Sequence, residues 1–405
     1  MNPVIATLLI LLISIGGFFL AKRKIVVAGS EVERGRPYAL PRYYGYCTGF
    51  WSFVPAIILF FILLSTIPTS NFTSWIALFA SAGLAIIITF FASSKISPNF
   101  RARNHVEKWF RTIIFIFSVT SITVTIMIIA SVVFESVRFF DKVPFTEFLF
   151  GTHWSPQTAM RADQAGSSGS FGAVPVFLGT LLITFIAMCV AAPLGLLSAI
   201  YLSEYASSRV RKWVKPLLEI LAGVPTVVYG YFAAVTFAPF LRDMGDIANL
   251  TISSESALAA GIIMGVMIIP FVLSLSDDVI SSVPNSLREA SSGLGATKSE
   301  TIRKVILPAA LPGVMGAMLL ATSRGIGETM IVVMAAGLAA NLTFSPLESV
   351  TTVTAQIVTL LVGDQEFDSA KTLAAFALSL TLFVVTLLLN IISMVIVRKY
   401  SEQYD

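Results

Sequence analysis

Charge is what this chain has least of. Only 12% of its 405 residues are Asp, Glu, Lys or Arg, while 56% are hydrophobic. Soluble domains carry about 25% charged residues, so a chain this long lacks the polar groups to cover a soluble surface. Cysteine is nearly absent too. Cys47 and Cys189 cannot build a disulfide framework. A single bridge between them is the minor reading, and Cys189, inside an apolar run, reads as a packing residue. His105 and His153 are the only histidines and stand apart in the sequence. No metal site and no Ser/His/Asp nucleophile arrangement can be assembled around them. The low polar content also excludes disorder. The formal net charge of +4 makes no case for nucleic acid.

What the chain has in abundance is continuous apolar sequence. Nine segments, roughly 3–21, 50–67, 72–92, 112–134, 173–203, 216–240, 257–276, 313–338 and 372–397, are near the ~20 residues a membrane helix needs. They do not alternate apolar and polar as barrel strands do. The predicted fold is an all-α polytopic membrane protein with about nine transmembrane helices. Lys22-Arg23-Lys24 follow the first segment instead of preceding it, which argues against a cleavable signal peptide.

The basic residues set the orientation. Alternate segments hold six between Lys22 and Arg42, five between Lys95 and Arg111, four between Arg209 and Lys215, four between Arg288 and Lys304, and finally Arg398 and Lys399. The opposite side holds only Arg138, Lys142, Arg161, Arg242 and Lys371, with eleven acids. The positive-inside rule gives N-out, C-in. The chain divides into a three-helix membrane extension, 1–111, and a second block, 112–400. An outer loop at 135–172 ends in the linker-like Gly166-Ser167-Ser168-Gly169-Ser170.

The inner loop 277–312 is built differently from the other loops. Pro284 favours a helix start, Gly293 can stop it, and Thr297-Lys298-Ser299-Glu300 reads as a capping box. A second helix runs to Leu307, where Pro308 ends or kinks it. The result is a compact knob held between two spans. Within it Glu289-Ala290-Ser291, Gly295, Val305, Leu307 and Pro308 resemble the EAA signature of ABC importer permeases, with Ser291 and Val305 as mild departures. The resemblance implies a six-helix permease core at 112–400 in a bacterial inner membrane. It also implies that 285–308 is the coupling helix that docks on a separate ATPase. Gly295-Ala296-Thr297-Lys298-Ser299 lacks the glycine spacing of a P-loop. ATP and Mg are therefore expected on the partner, with no cofactor or metal in this chain and no enzymatic site of its own.

Arg324 and Glu328 stand inside the eighth apolar segment. Four residues apart, they share one face of a helix. A charge at mid-bilayer costs on the order of 2.5–3.5 kcal/mol on insertion scales, so neither should face lipid. Two readings stand: an ion pair that neutralises itself and aids assembly, or a solute-pathway site in which the forked Arg324 guanidinium meets an oxyanion. Glu219, near the inner end of the sixth segment, reads as an interfacial acid or a partner of Lys215.

The stretch Ser323-Arg324-Gly325-Ile326-Gly327-Glu328-Thr329-Met330, followed by Met334, resembles the Arg-x-x-Gly-Glu-Thr element of phosphate-specific importer permeases of the PstC type. Gly179-Thr180, Glu204-Tyr205 and Gly223-Val224-Pro225 agree with it. The resemblance implies a substrate pathway through Arg324, Glu328 and Thr329. It also implies a second permease subunit (PstA-like), two ATPase subunits (PstB-like) and an extracytoplasmic phosphate-binding protein (PstS-like). The net-negative outer face fits delivery by such a protein, since its field would not gather free phosphate. Another oxyanion or small solute, a scaffold or sensor role in a phosphate-signalling complex, and an ion-driven carrier acting alone are the alternatives. Few ionisable residues lie in the spans, which speaks against the carrier.

Overall fold

The computed structural model describes residues 3–30, 38–66, 71–97, 99–158, 168–362 and 368–400. Arg34, Arg36, Arg161, Asp163, Asp364, Glu366 and the Gly166-Ser167 end of the linker lie outside them. Two compact units, Met1–Met127 and Ile128–Asp405, divide the chain inside a helix, beyond the boundary read at residue 111.

The first unit holds α1 (Pro3–Ser30), α2 (Pro41–Thr66), α3 (Asn71–Lys95) and the start of α4 (Ala102–Phe140). Small residues let the first three helices approach: Ala6, Ala56, Ala77 and Ala85 are buried with Ile10 and Phe60. Midway, Thr89 donates to Ser52 (2.9 Å), Ser52 to the carbonyl of Ala85 (2.9 Å), and Ser14 to Ser52 (3.3 Å). Such hydroxyl contacts join helices where no hydrophobic effect acts between them. Cys47 is buried here, and both cysteines are free thiols.

The second unit continues through α5 (Phe145–Phe150) and a two-stranded antiparallel ribbon, β1 (Trp154–Thr158) with β2 (Ser168–Phe171), which pairs Trp154 with Phe171. Then come α6 (Val174–Ile200), α7 (Ser208–Ala222), α8 (Thr226–Phe232), α9 (Ala238–Ile247), α10 (Ala257–Ser282), α11 (Asn285–Gly293), α12 (Lys298–Thr301), α13 (Leu307–Ile326), α14 (Met330–Ala335), α15 (Val353–Leu361) and α16 (Ala370–Tyr400). The core lies along α6 and α10, where Ile183, Ala187 and Ala191 are buried with Met264, Ile268 and Val272. Gly261 and Gly265 permit this approach. A Cβ on Gly261 would stand 2.7 Å from Ile186, and one on Gly265 would stand 2.8 Å from the carbonyl of Ala187.

Among the described residues seven helices are long and apolar enough to cross a membrane, or eight if α7 with the stretch 226–247 is one bent span. The architecture is the all-α polytopic one expected. Two of the expected spans are not straight helices. The segment 216–240 is broken: α7 and α8 meet at 83°. Gly223 caps α7, and Pro225 lacks an N–H and drives Val224 away from helical geometry. The segment 313–338 is also broken, because α13 stops at Ile326.

Pro308 does not end its helix. The chain stays helical from Lys298 to Ile326, with a π turn at Ile302–Ile306 just before the proline. Another π turn, Ala233–Phe237, precedes Pro239 in the same way. A widened turn relieves the clash and the missing donor that a proline brings to an α-helix.

Candidate functional site

The knob between α10 and α13 is assembled from local signals. Val283-Pro284 ends α10 and opens α11. Thr297 and Glu300 form the capping box: the Thr297 hydroxyl accepts the Glu300 N–H (3.4 Å), and the Glu300 carboxylate accepts the Thr297 N–H (2.9 Å). The turn itself falls on Gly295, with φ +79°, a region L side chains rarely adopt.

Ser291, the departure from alanine in the Glu-Ala-Ala element, is buried and hydrogen-bonded to Thr301 (2.8 Å). It pins α11 to α12, so the added hydroxyl is satisfied inside the knob. Glu289, Ala290 and Gly295 are exposed, and Leu294 is 90% exposed at the tip. Val305 and Leu307 are half-buried where the knob enters the bundle, and Pro308 is exposed.

Arg288 fixes the knob to the bundle. It donates to Glu204 in the π turn Tyr201–Tyr205 that follows α6 (2.9 Å), to the carbonyl of Ile280 (3.0 Å) and to that of Val283. Replacing Gly295 with alanine forces a side chain into left-handed geometry at a cost of about 1 kcal/mol. Amides of residues 288–297 should then exchange roughly fivefold faster, while those of α10 keep their protection; hydrogen-exchange mass spectrometry reads both.

The second part of the site is the break after α13. Gly327 caps α13, Glu328 and Thr329 are not helical, and α14 begins at Met330. Arg324 lies in the last turn of α13 and Glu328 beyond its end, so the two do not share a helical face and no ion pair joins them. The Glu328 carboxylate accepts the Met330 N–H (3.2 Å), and its carbonyl accepts the Thr354 hydroxyl (2.8 Å). The Thr329 hydroxyl reaches the carbonyl of Gly327 (3.4 Å).

Arg324 has no carboxylate partner among the described residues. Its guanidinium stands 5.4 Å from the Phe271 ring centroid and 3.9 Å from the Met267 sulfur, both on α10. Its position in the last helical turn places it at the negative end of the α13 dipole. The ring, a weak sulfur acceptor and the dipole stabilise a cation but leave its forked donors free.

Sequence reasoning missed one charged group. Asp277 was placed in the inner loop, yet α10 runs on to Ser282 and Asp277 is fully buried. It takes Arg211 (2.9 Å) and Lys215 (2.9 Å) from α7, and Lys215 also reaches Asp278 (3.0 Å). Lys215 is therefore engaged with α10 and not with Glu219, which is exposed. Four basic residues within one amphipathic helix were the available signal: they need counter-charges nearby.

Residues 191–402 match the model of the binding-protein-dependent transport system inner membrane component. The chain belongs to this family. Residues 7–71 match a second model, described as phosphate ATP-binding cassette transporter. A probable ABC transporter permease protein of Bacillus subtilis, YqgH, is 35% identical over 242 residues, covering 60% of this chain and 74% of the relative. A phosphate transport system permease protein PstC of Pasteurella multocida is 30% identical over 325 residues, covering 75% and 95%.

Among solved structures, a bacterial alginate ABC transporter, in complex with an alginate-bound periplasmic protein, matches with a TM-score of 0.51 at 15% identity, over 74% of this chain and 98% of that one. That likeness concerns the fold alone. The family member described here is a PstC-like, multi-pass inner-membrane permease. The first family model begins within α6, so the knob and the break both lie inside the matched region.

Proposed function

We infer that this chain is the permease subunit of an ATP-driven importer of inorganic phosphate. The observation that carries the reading is the unpaired guanidinium of Arg324, inside a Gly-Glu-Thr context, at a break in a membrane helix. The names of the PstC relatives supply the substrate. In this reading Arg324 stabilises the oxyanion in transit, while Glu328 and Thr329 shape the non-helical break beside it. A second permease completes the pathway. Two ATPase subunits hold ATP and Mg, and an extracytoplasmic binding protein delivers phosphate.

The knob is the part suited to receive the ATPase. It presents Glu289, Ala290 and Leu294 outward while Arg288 and Ser291 hold it rigid. The helix from Lys298 to Ile326 is 29 residues long. At 1.5 Å per residue it spans about 43 Å, so a rigid shift of the knob is transmitted along one helix to Arg324. Gly295–Ser299 forms a turn and a capping box, with Thr297 committed to Glu300. That is not a phosphate cradle, which supports the expectation that nucleotide binds elsewhere.

The test is radiolabelled phosphate uptake by the complete transporter in proteoliposomes with ATP on the knob side. Glu289→Lys reverses a charge at the exposed docking face without touching the fold, and uptake and phosphate-stimulated ATP hydrolysis should fall together by more than about tenfold. ATP-independent uptake by the purified chain alone would refute the importer reading.

A further inference from the structure

The first unit carries a feature that transport by the second does not use. All the charge among its described residues is at one end. Lys22, Arg23, Lys24, Arg42, Lys95, Arg101, Arg103, Lys108 and Arg111 are described there against a single described acid, Glu107. The segments 43–66 and 71–94 hold no charged residue. One buried cluster, including Ala21, Ile25, Tyr44, Cys47, Ala102 and Val106, gathers the basic ends of α1, α2 and α4.

Several of these cations are already engaged. Lys24 donates to the carbonyl of Ser93, Lys95 lies over Phe91, Arg101 over Tyr38, and Arg103 pairs with Glu107. Arg42 and Arg111 have neither an ion pair nor a hydrogen bond among the described residues. Both line a pocket of about 770 Å³ together with Tyr43, Phe110 and Ile114. Glu107 also borders it, but Arg103 holds that carboxylate at 2.5 Å.

Next to this pocket runs a groove of about 480 Å³, walled by Leu11, Ile15, Phe18, Gly49, Phe50 and Phe53. Tyr46 lines both cavities, and Phe50 of the groove packs edge-on against Phe110 of the pocket at 5.4 Å. From Arg42 to Phe53 along α2 is about 16 Å, roughly half the ~30 Å hydrocarbon thickness. Two free arginines therefore stand at one mouth of an apolar channel that reaches about one leaflet deep.

We propose that this pair of cavities binds one anionic glycerophospholipid of the inner leaflet, its phosphate between Arg42 and Arg111 and an acyl chain in the groove. The charge supports an anion and the groove supports a hydrocarbon chain. A free ion satisfies only the first, and the groove lies within the hydrocarbon depth, where an acyl chain is the ready occupant. Basic pockets at the cytoplasmic ends of membrane helices take anionic headgroups in this way, and the charge asymmetry of the unit places this end inside.

The proposal is tested on the assembled transporter, reconstituted in an equimolar mixture of dioleoylphosphatidylglycerol and dioleoylphosphatidylcholine and weighed by native mass spectrometry. The wild type should retain phosphatidylglycerol over phosphatidylcholine by roughly tenfold. Arg42→Gln with Arg111→Gln should abolish that preference. Both side chains are exposed, so the fold does not depend on them. Gly49→Leu fills the groove; a Cβ there meets nothing nearer than the Ser14 carbonyl at 3.7 Å. It should release the dioleoyl lipid yet leave the headgroup preference for short-chain phosphatidylglycerol. Equal retention by the double variant, or no headgroup preference in the wild type, overturns the proposal. Displacement of phosphatidylglycerol by excess inorganic phosphate also overturns it, assigning the arginines to a free anion.

Discussion

Arg324→Ala should lower phosphate uptake by the complete transporter by about a hundredfold or more, with assembly unchanged. The magnitude follows from losing one preorganised donor set for a migrating anion, about 2.7–4 kcal/mol where such a donor has been removed from an enzyme site. The competing reading makes Arg324 half of a structural ion pair with Glu328, and the geometry removes its basis. Glu328 spends its carboxylate on the Met330 amide, and Arg324 looks to Phe271 and Met267.

The conservative variants sharpen the test. Arg324→Lys keeps the charge but loses the fork, and should restore only part of the uptake. Glu328→Gln can still accept the Met330 N–H and should cost less than Glu328→Ala. If Arg324→Ala leaves uptake intact while the complex falls apart on gel filtration, the residue is structural and the pathway lies elsewhere.

The knob was legible in the sequence because its determinants are local. A proline, a glycine and a Thr/Glu box each act within four residues, and all appear where the spacing put them. Even there one detail differs: the left-handed turn falls on Gly295, while α11 runs through Gly293. The break after Ile326 was not legible. Gly327-Glu328-Thr329 is a polar interruption of only three residues, so a span-length window over the long apolar runs on either side still reads 313–338 as one segment. The break is set by distant groups: Thr354 holds the Glu328 carbonyl, and Val350 donates to the Ala336 carbonyl as the chain returns. Such irregular backbone is tolerated at membrane depth where protein covers it. The 83° turn after α7 was half legible. Pro225 is a residue that can kink a helix, but the amphipathic character of α7, with Arg209 and Lys212 on its polar side and Trp213 and Leu217 on its apolar side, is divided between a loop and a span in the sequence reading.

Asp277→Ala should free α7 from the bundle. Removing one member of a buried charge cluster costs about 3–5 kcal/mol. Here the partners can regain water, since Arg211 is 36% and Lys215 27% exposed, so about 2–3 kcal/mol is the reasonable figure. Trypsin cleavage after Arg209, Arg211 and Lys212 should then accelerate by roughly thirty- to 150-fold. Restoring neutrality with Asp277→Leu, Arg211→Met and Lys215→Met together should recover much of the protection at Lys212, a cleavage site this variant keeps, because an apolar replacement of a buried ionic cluster is often no less stable.

The consequence for transport follows from where the cluster lies. The last turns of α10 hold α7 through Asp277 and Ser281, and hold the knob through the carbonyls of Ile280 and Val283. Beyond α7, Gly230 of α8 packs on Met330 and Ile331 of α14, next to the break at Glu328. Asp277→Ala should therefore leave ATP hydrolysis running while uptake drops. Uptake that falls in strict proportion to hydrolysis would show that α7 only supports assembly.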